Sequence, residues 1–202
     1  MPDTQRYTTK ELSPATWPDF EDLFSRGNGW DFCWCMHHHR CRPLPASEKL
    51  RRAERSRANY PDKKRLVAEG RAHGILVYRD GEPVGWCQYG LREDLPRIDD
   101  DPNYRGLAPN STARLWRIPC FAVDKRFRGR GIGSLALKTA LASIKAAGGG
   151  LVEGYPVADW QGASFGNVST HGTVSMFQKN AFKIVAPFGR RNVLMRRRLK
   201  GA

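Results

Sequence analysis

No apolar run in the chain approaches the ~18 residues that cross a bilayer, and its first residues, MPDTQRYTTKEL, form neither an apolar signal core nor an Arg-rich amphipathic leader. Membrane insertion and export are therefore not expected, and a cytoplasmic location is. Cysteine is scarce and odd in number: five residues, Cys33, Cys35, Cys41, Cys87 and Cys120, make no disulfide framework and suit a reducing compartment. Internal repeats and low-complexity linkers are missing too, so the 202 residues read as one domain, 1–202, with a real hydrophobic core. Acidic residues are in deficit, 20 against 34 basic ones, for a net charge of +14. That balance suits either solubility or a polyanionic partner. The basic residues are spread among acidic ones rather than gathered in an arm, which argues against nucleic acid as the partner.

The elements that are present alternate. Tyr7 to Leu12 reads as a short strand, and Ser13-Pro14 supplies an N-cap and a first-turn proline for a helix. Trp17, Phe20, Leu23 and Phe24 recur along it at helical spacing until Gly27 and Gly29. A second, basic helical region is predicted from Ser47 to about Glu69, interrupted near Asn59 to Pro61 because proline restricts the residue before it. In GILVYRDGEPVGWCQYG, residues 74 to 90, two apolar runs flank Asp80-Gly81, a dipeptide suited to the positive φ angles of a tight hairpin. RLWRIPCFAV, residues 114 to 123, is the next strand, and a helix reaching Ala147 follows a glycine-rich turn. LVEGYPV then reads as a buried strand, FQKNAF as the close of a short helix, and Val193 to Leu199 as a last strand. The order β, α, α, β, β, β, α, β, α, β gives an α/β fold, a mixed sheet flanked by helices.

The turn before the long helix, DKRFRGRGIGSLALKTAL, residues 124 to 141, has the makings of a phosphate site. A P-loop needs lysine and then Ser or Thr after its last glycine, whereas Gly133 is followed by Ser134 and Leu135. A dinucleotide fingerprint matches Gly131, Gly133 and Ala136, but it turns straight from strand into glycine, and here Asp124 to Arg130 intervene. An RNA-binding RGG tract lies in disordered, aromatic-poor sequence, whereas this one abuts a strand and a helix with Leu135, Leu137, Leu141 and Ile144 to bury. A coenzyme A cradle remains: glycines at 129, 131 and 133 allow close approach, and successive N–H groups at a helix N-terminus face an anion without lysine or metal.

With those residues, V-D-K-R-F-R-G-R-G-I-G resembles the acyl-CoA pyrophosphate motif of the GNAT N-acetyltransferase superfamily, Arg or Gln, two residues, Gly, one residue, Gly or Ala, met by Arg128, Gly131 and Gly133. SMFQKNAF, residues 175 to 182, is similar to the family's second coenzyme motif. The resemblance covers residues 74 to 199, with 1–73 as a variable acceptor-side part. It implies the GNAT acyl-CoA N-acyltransferase fold, a mostly antiparallel mixed sheet splayed at two central parallel strands, with acetyl-CoA as cofactor, N-acetyl transfer as activity and a homodimer as the common assembly. By that resemblance the cofactor contacts are Phe121, Ala122 and Val123 on the strand, with the backbone N–H groups there meeting the thioester oxygen. Arg128, Gly129, Arg130, Gly131, Ile132, Gly133 and Ser134 follow at the turn, and Ser175 and Lys179 in the later helix. Phe177 and Ala181 depart from the family pattern, standing where Tyr and Gly are usual, so the acid that commonly protonates the departing thiolate is missing.

For acetyl transfer to an amine, a group must accept the ammonium proton. Glu153 is the first candidate because alternation puts it on the face of Tyr155, at the strand expected to splay; Tyr155 and His171 are the substitutes for the missing acid. CWCMHHHRC, residues 33 to 41, holds ligand-type residues without the paired spacing of a zinc site, so no metal is expected there. Trp34 and His38 in that segment are expected at the acceptor mouth. Across from them come Trp86 and Gln88 of the hairpin, and Asp94 in EDLPRIDDD, residues 93 to 101, where five acids face one arginine. Aromatic faces with carboxylates suit a small cationic amine, with an aminoglycoside-type antibiotic as the specific expectation. A protein amine, an aminoacyl-tRNA and a non-catalytic acyl-CoA-binding module are the alternatives.

Overall fold

The computed structural model describes residues 7–40, 52–158 and 170–202. Its strands are β1 (Tyr7–Glu11), β2 (His73–Arg79), β3 (Glu82–Leu91), β4 (Leu115–Val123), β5 (Gly149–Gly154), β6 (Lys183–Phe188) and β7 (Asn192–Lys200). They form one sheet in the order β1-β2-β3-β4-β5-β7-β6, in which only β4 and β5 pair parallel. The α-helices whose bounds fall within the described residues are α1 (Trp17–Ser25), α2 (Arg52–Ala68), α3 (Ile132–Ala146) and a short α4 (Val174–Gln178). The expected mixed, mostly antiparallel α/β fold is therefore the observed one. No helix among the described residues is long and apolar enough to cross a membrane.

Both sheet faces are covered, which explains why GILVY is apolar throughout rather than alternating. Ile75 and Val77 join a core beneath α3 with Ala136, Leu137, Ala140 and Ile144. The intervening Leu76 and Tyr78 join a second core, with Phe20, Leu23 and Phe24 of α1 and Trp34. At the hairpin tip Asp80 and Gly81 both take positive φ, 50° and 84°, as their dipeptide predicts.

Two expectations need correction. Helix α2 runs unbroken through Pro61. Proline removes one backbone bond, but tertiary anchors hold the helix together: Trp34 Nε1 donates to Ser56 Oγ at 2.8 Å and Asn59 Nδ2 to the Phe32 carbonyl at 2.8 Å. Ser47, the expected cap, lies outside the described residues. Strand β6 was not foreseen at all, because KIVAPF carries a proline and leaves Ile184 and Val185 exposed at 52% and 43%, a pattern with no hidden face. Edge position is what tolerates both.

Ala181, after α4, has φ of 59°, a left-handed conformation that costs an L-residue with a Cβ about 1–2 kcal/mol. Ala181→Gly relieves this at some cost in chain entropy, so its unfolding free energy in urea is expected to rise by about 0.5–1 kcal/mol. A lower value than the parent would show that the position is unstrained.

Candidate functional site

The site begins where β4 and β5 part. Their parallel pairing ends at Ile118↔Gly154, while β4 continues to Val123. On its other edge β4 stays paired with β3, but the register slips: from Gln88↔Cys120 to Gly90↔Arg117, two steps on β3 face three on β4. Pro119 sits in this bulge, where its missing N–H costs nothing. Backbone alternation then sorts the cradle strand. Asp124 N–H donates to Val84 O on β3 at 3.0 Å, whereas Pro119 O meets His171 Nδ1 at 3.3 Å on the open side. Odd residues therefore turn their amides into the opening, so Phe121 and Val123 do so and Ala122 does not. The expected role of Ala122 N–H narrows accordingly: that group bonds β3.

At the far end of the opening, Gly129 and Gly131 take φ of 75° and 79°, and a Cβ on either would meet nothing within 4 Å. Gly131 is the N-cap of α3 and has no side-chain cap. Among the described residues, no N–H from Gly129 to Ser134 donates to a protein acceptor; the first such bond is Leu135 N–H to Gly131 O at 3.0 Å. Six successive unpartnered amides around two left-handed glycines form a concave nest for an anion. Side chains contribute less than expected. Arg128 Nε donates to Val123 O at 3.1 Å, and its guanidinium lies over Trp30; that of Arg130 lies over Phe127. Ile132 is buried beneath β3, so only its amide faces the nest. The start of α4 lies alongside, with Met176 Sδ 3.6 Å from where a Gly133 Cβ would be. Ser175 and Lys179 are exposed there, Ser175 Oγ lying 3.1 Å from Thr173 Oγ1. Phe177 is fully buried, edge-on to both Phe121 and Phe182, so no polar group stands where the family's tyrosine would.

Beside Pro119, where the strands part, lies a cavity of about 410 Å³. His37, His38, His171, Pro119 and Tyr155 line it, together with Arg97, Asp100, Asp101 and, from the β6–β7 hairpin, Arg190 and Asn192. Burial lowers the His171 pKa below the ordinary histidine value against the opposing pull of the Pro119 carbonyl, and burial with the neighbouring His37 and His171 lowers His38 well below it. These two imidazoles are therefore neutral at pH 7. The His38 Nδ1 is buried with no hydrogen-bond partner among the described residues.

Glu153 is placed differently from expectation. It is fully buried, and both oxygens are occupied: Oε1 accepts from Tyr104 OH at 3.0 Å and Arg196 Nε at 2.8 Å, Oε2 from Tyr104 OH at 2.9 Å and Tyr155 OH at 2.7 Å. Arg117 Nε lies 3.8 Å from Oε2, while its other nitrogens hold Asp99 in a two-point ion pair at 2.8 Å each. The carboxylate ties β5 to β7 and to the loop carrying Tyr104, and Tyr155 is locked by it at the cavity wall.

The expected acceptor residues divide. His38 lines the cavity. Trp34 and Trp86, at 5% and 0% exposure, belong to the core, as does Gln88, whose Nε2 donates to Cys35 O at 2.9 Å. Their alternation pointed to the sheet face that α1 and α2 cover, which sequence does not distinguish from an open one. Asp94 is held by Arg71 at 3.1 Å and Asp99 by Arg117 and Arg92, so two of the loop's five acids are neutralised; of its acids Asp100 and Asp101 reach the cavity. Arg97 and Arg190 were missed. Phe188-Gly189-Arg190 forms a hairpin whose glycine, at φ 68°, was the available signal. No group of three or more His, Cys, Asp or Glu among the described residues is placed to hold a metal, and Cys41 lies outside them.

The model of the acetyltransferase (GNAT) family matches residues 9–154. No curated protein matches the chain by sequence. Among solved structures, it is similar to the histone acetyltransferase HPA2 and related acetyltransferase of Corynebacterium glutamicum, with TM-score 0.55, 15% identity and 98% of each chain covered. It is similar also to the PaiA N-acetyltransferase of Thermoplasma acidophilum in complex with coenzyme A, with TM-score 0.53, 13% identity and 95% and 98% covered. A third is the ribosomal-protein-S18-alanine N-acetyltransferase of Escherichia coli, with TM-score 0.52, 10% identity and 97% and 96% covered.

Glu153→Gln removes a buried charge on which Arg196, Arg117 and two tyrosines converge, and is expected to lower the unfolding free energy by about 3 kcal/mol in urea denaturation. A loss below about 0.5 kcal/mol would refute the carboxylate's role as the anchor of this network.

Proposed function

Because the chain belongs to the GNAT acetyltransferase family and is an acetyl-CoA-dependent N-acetyltransferase, we propose that it acetylates the primary amine of a small molecule that enters the cavity beside Pro119. Acetyl-CoA supplies an acetyl thioester, and the unpartnered amides from Gly129 to Ser134 fit its diphosphate. Phe121 N–H, turned into the splay by alternation, is placed to donate to the thioester oxygen as negative charge develops there.

The observation that carries the assignment is the contact of His171 Nδ1 with the Pro119 carbonyl inside the cavity. That carbonyl accepts only, so it holds the proton on Nδ1 and leaves Nε2 as a lone pair. An ammonium of pKa near 10 is too weak an acid for such an imidazole, so the acceptor attacks from its neutral fraction, and its nitrogen, once it has begun to bond carbon, is far more acidic. A weak, neutral base is then sufficient, and His171 is that base. Glu153 and Tyr155 position the wall, since each is committed to the other. The departing thiol, pKa about 8.5, leaves as thiolate without the acid that Phe177 cannot supply.

The lining also bears on the acceptor. Arg97, Arg190 and Asp100 make no ion pair among the described residues. A polycationic aminosugar of the aminoglycoside type meets two unpaired guanidiniums here. An amine that also carries a carboxylate or phosphate meets both signs of charge, and this class is favoured. Acetyl-CoA with a panel of zwitterionic amines, polyamines and aminoglycosides, read by mass spectrometry, is expected to give acetylated product in the zwitterionic set; product from the polycations alone refutes that preference.

His171→Ala is expected to lower kcat about 100-fold while leaving acetyl-CoA affinity within about twofold by calorimetry. With the His171 pKa lowered, the acidic limb of the wild-type kcat profile lies below the ordinary histidine value, about 6.5, and disappears in the variant. An unchanged kcat and limb would assign the proton to another group.

A further inference from the structure

The loop before α2 buries a set of reactive groups that acetyl transfer does not use. Cys35, 3% exposed, and Cys120 on β4 have their sulfurs 3.7 Å apart although 85 residues separate them. Trp86 Nε1 donates to the Cys35 sulfur at 3.1 Å. Lys63 of α2 is fully buried beside them, its Nζ 3.2 Å from His39 Nε2 and within 6 Å of the Phe20 and Trp86 rings, with no carboxylate paired to it among the described residues. The backbone is bent to bring this about: Trp34 and Cys35 both have φ of 48°, two consecutive left-handed residues that each cost about 1–2 kcal/mol. Packing alone would be met by an alanine at Cys35, without an indole N–H directed at its sulfur.

We propose that Cys35 and Cys120 are an oxidisable dithiol, closed to a disulfide by a hydroperoxide, with Lys63 as the cation and proton donor that serves it. Burial raises the Cys35 pKa, but its hydrogen bond with Cys120, the Lys63 charge and the Trp86 donor outweigh burial and bring it below the ordinary thiol value. Burial lowers Lys63 to about 8 against the pull of Cys35, Cys33 and Cys120, so at pH 7 it carries a proton that it can release. Cys120 reaches solvent, and Cys35 does not.

The electron count closes with one hydroperoxide. Cys35 and burial hold the proton on Cys120; in the form in which the pair shares one proton, Cys120 passes it to the Cys35 sulfur and attacks a peroxide oxygen as thiolate, the O–O bond breaks, and the proton goes on to the departing alkoxide, which leaves as alcohol and restores the Cys35 thiolate. Cys35 thiolate then displaces the hydroxyl of the Cys120 sulfenic acid; the S–S bond forms, the S–O bond breaks, and Lys63 protonates the hydroxide to water. Two sulfurs are oxidised, one peroxide bond is reduced, and Lys63 is left neutral in a site that no longer holds a thiolate.

The test uses the whole protein, given hydrogen peroxide, alkylated without reductant, digested and mapped by mass spectrometry. The peptides of Cys35 and Cys120 are expected to be joined with the loss of two hydrogens, with fragmentation placing the bond at Cys35 rather than Cys33, and to separate on adding dithiothreitol. Cys87→Ala leaves the link in place and Cys35→Ser abolishes it. Lys63→Met is expected to slow linking about tenfold at pH 7, with circular dichroism of the reduced variant showing that it is folded. Wild-type peptides that emerge unlinked and carry only sulfinic or sulfonic acid overturn the proposal, as does a bond from Cys120 to Cys33. The wild-type map is decisive whether or not a variant folds.

Discussion

The parting of β4 from β5 beyond Ile118 and Gly154 is the constraint from which the rest follows. Two parallel strands that stay paired leave no room for a ligand between them, and two that separate expose backbone amides that must find partners. Here the strand on one side bulges at Pro119, and the chain on the other turns away at Tyr155 and Pro156 to bridge Thr173 and Asn192. The amides released on one rim and the cavity on the other are two consequences of that one separation.

Holding such a wedge open requires a rigid lower edge, and the buried ions supply it. Arg117, Asp99, Glu153 and Arg196 link β4, β5, β7 and the loop that carries Tyr104. Each charge has opposite charge or hydroxyl donors on it, the condition under which a buried ion is tolerated rather than neutralised. An apolar core would pack these strands equally well but would not fix the Tyr155 ring against the cavity.

Legibility in the sequence followed the reach of the signals. The hairpin at Asp80-Gly81, strand β4, helix α3 and the glycine nest are local patterns, and all lie where the residues put them. The nest's glycines declare a backbone that side-chain-bearing residues avoid, so the turn itself was visible. The cavity beside Pro119 was not, because it is assembled from segments far apart: His38 from the loop before α2, Pro119 from β4, His171, and Arg190 from a hairpin that contains the unforeseen β6. Trp86 and Gln88 were misjudged because period-two alternation identifies a face without saying what covers it. The charge on residues 93 to 101 misled in part for a similar reason, since Arg71, which holds Asp94, is distant and Arg117, which holds Asp99 together with Arg92, was assigned to a strand.

Helix α2 has one further consequence. Of its seventeen residues only Asn59, Lys63, Leu66 and Val67 are buried, and much of its grip on the 30–40 loop is by side-chain hydrogen bonds from Ser56 and Asn59. So little apolar area sets a small cost for detaching the helix compared with melting the sheet. The two layers on the sheet thus differ in tenacity: α3 is seated on a broad apolar core, whereas α2 is held largely by a few polar bonds and has the thinner grip.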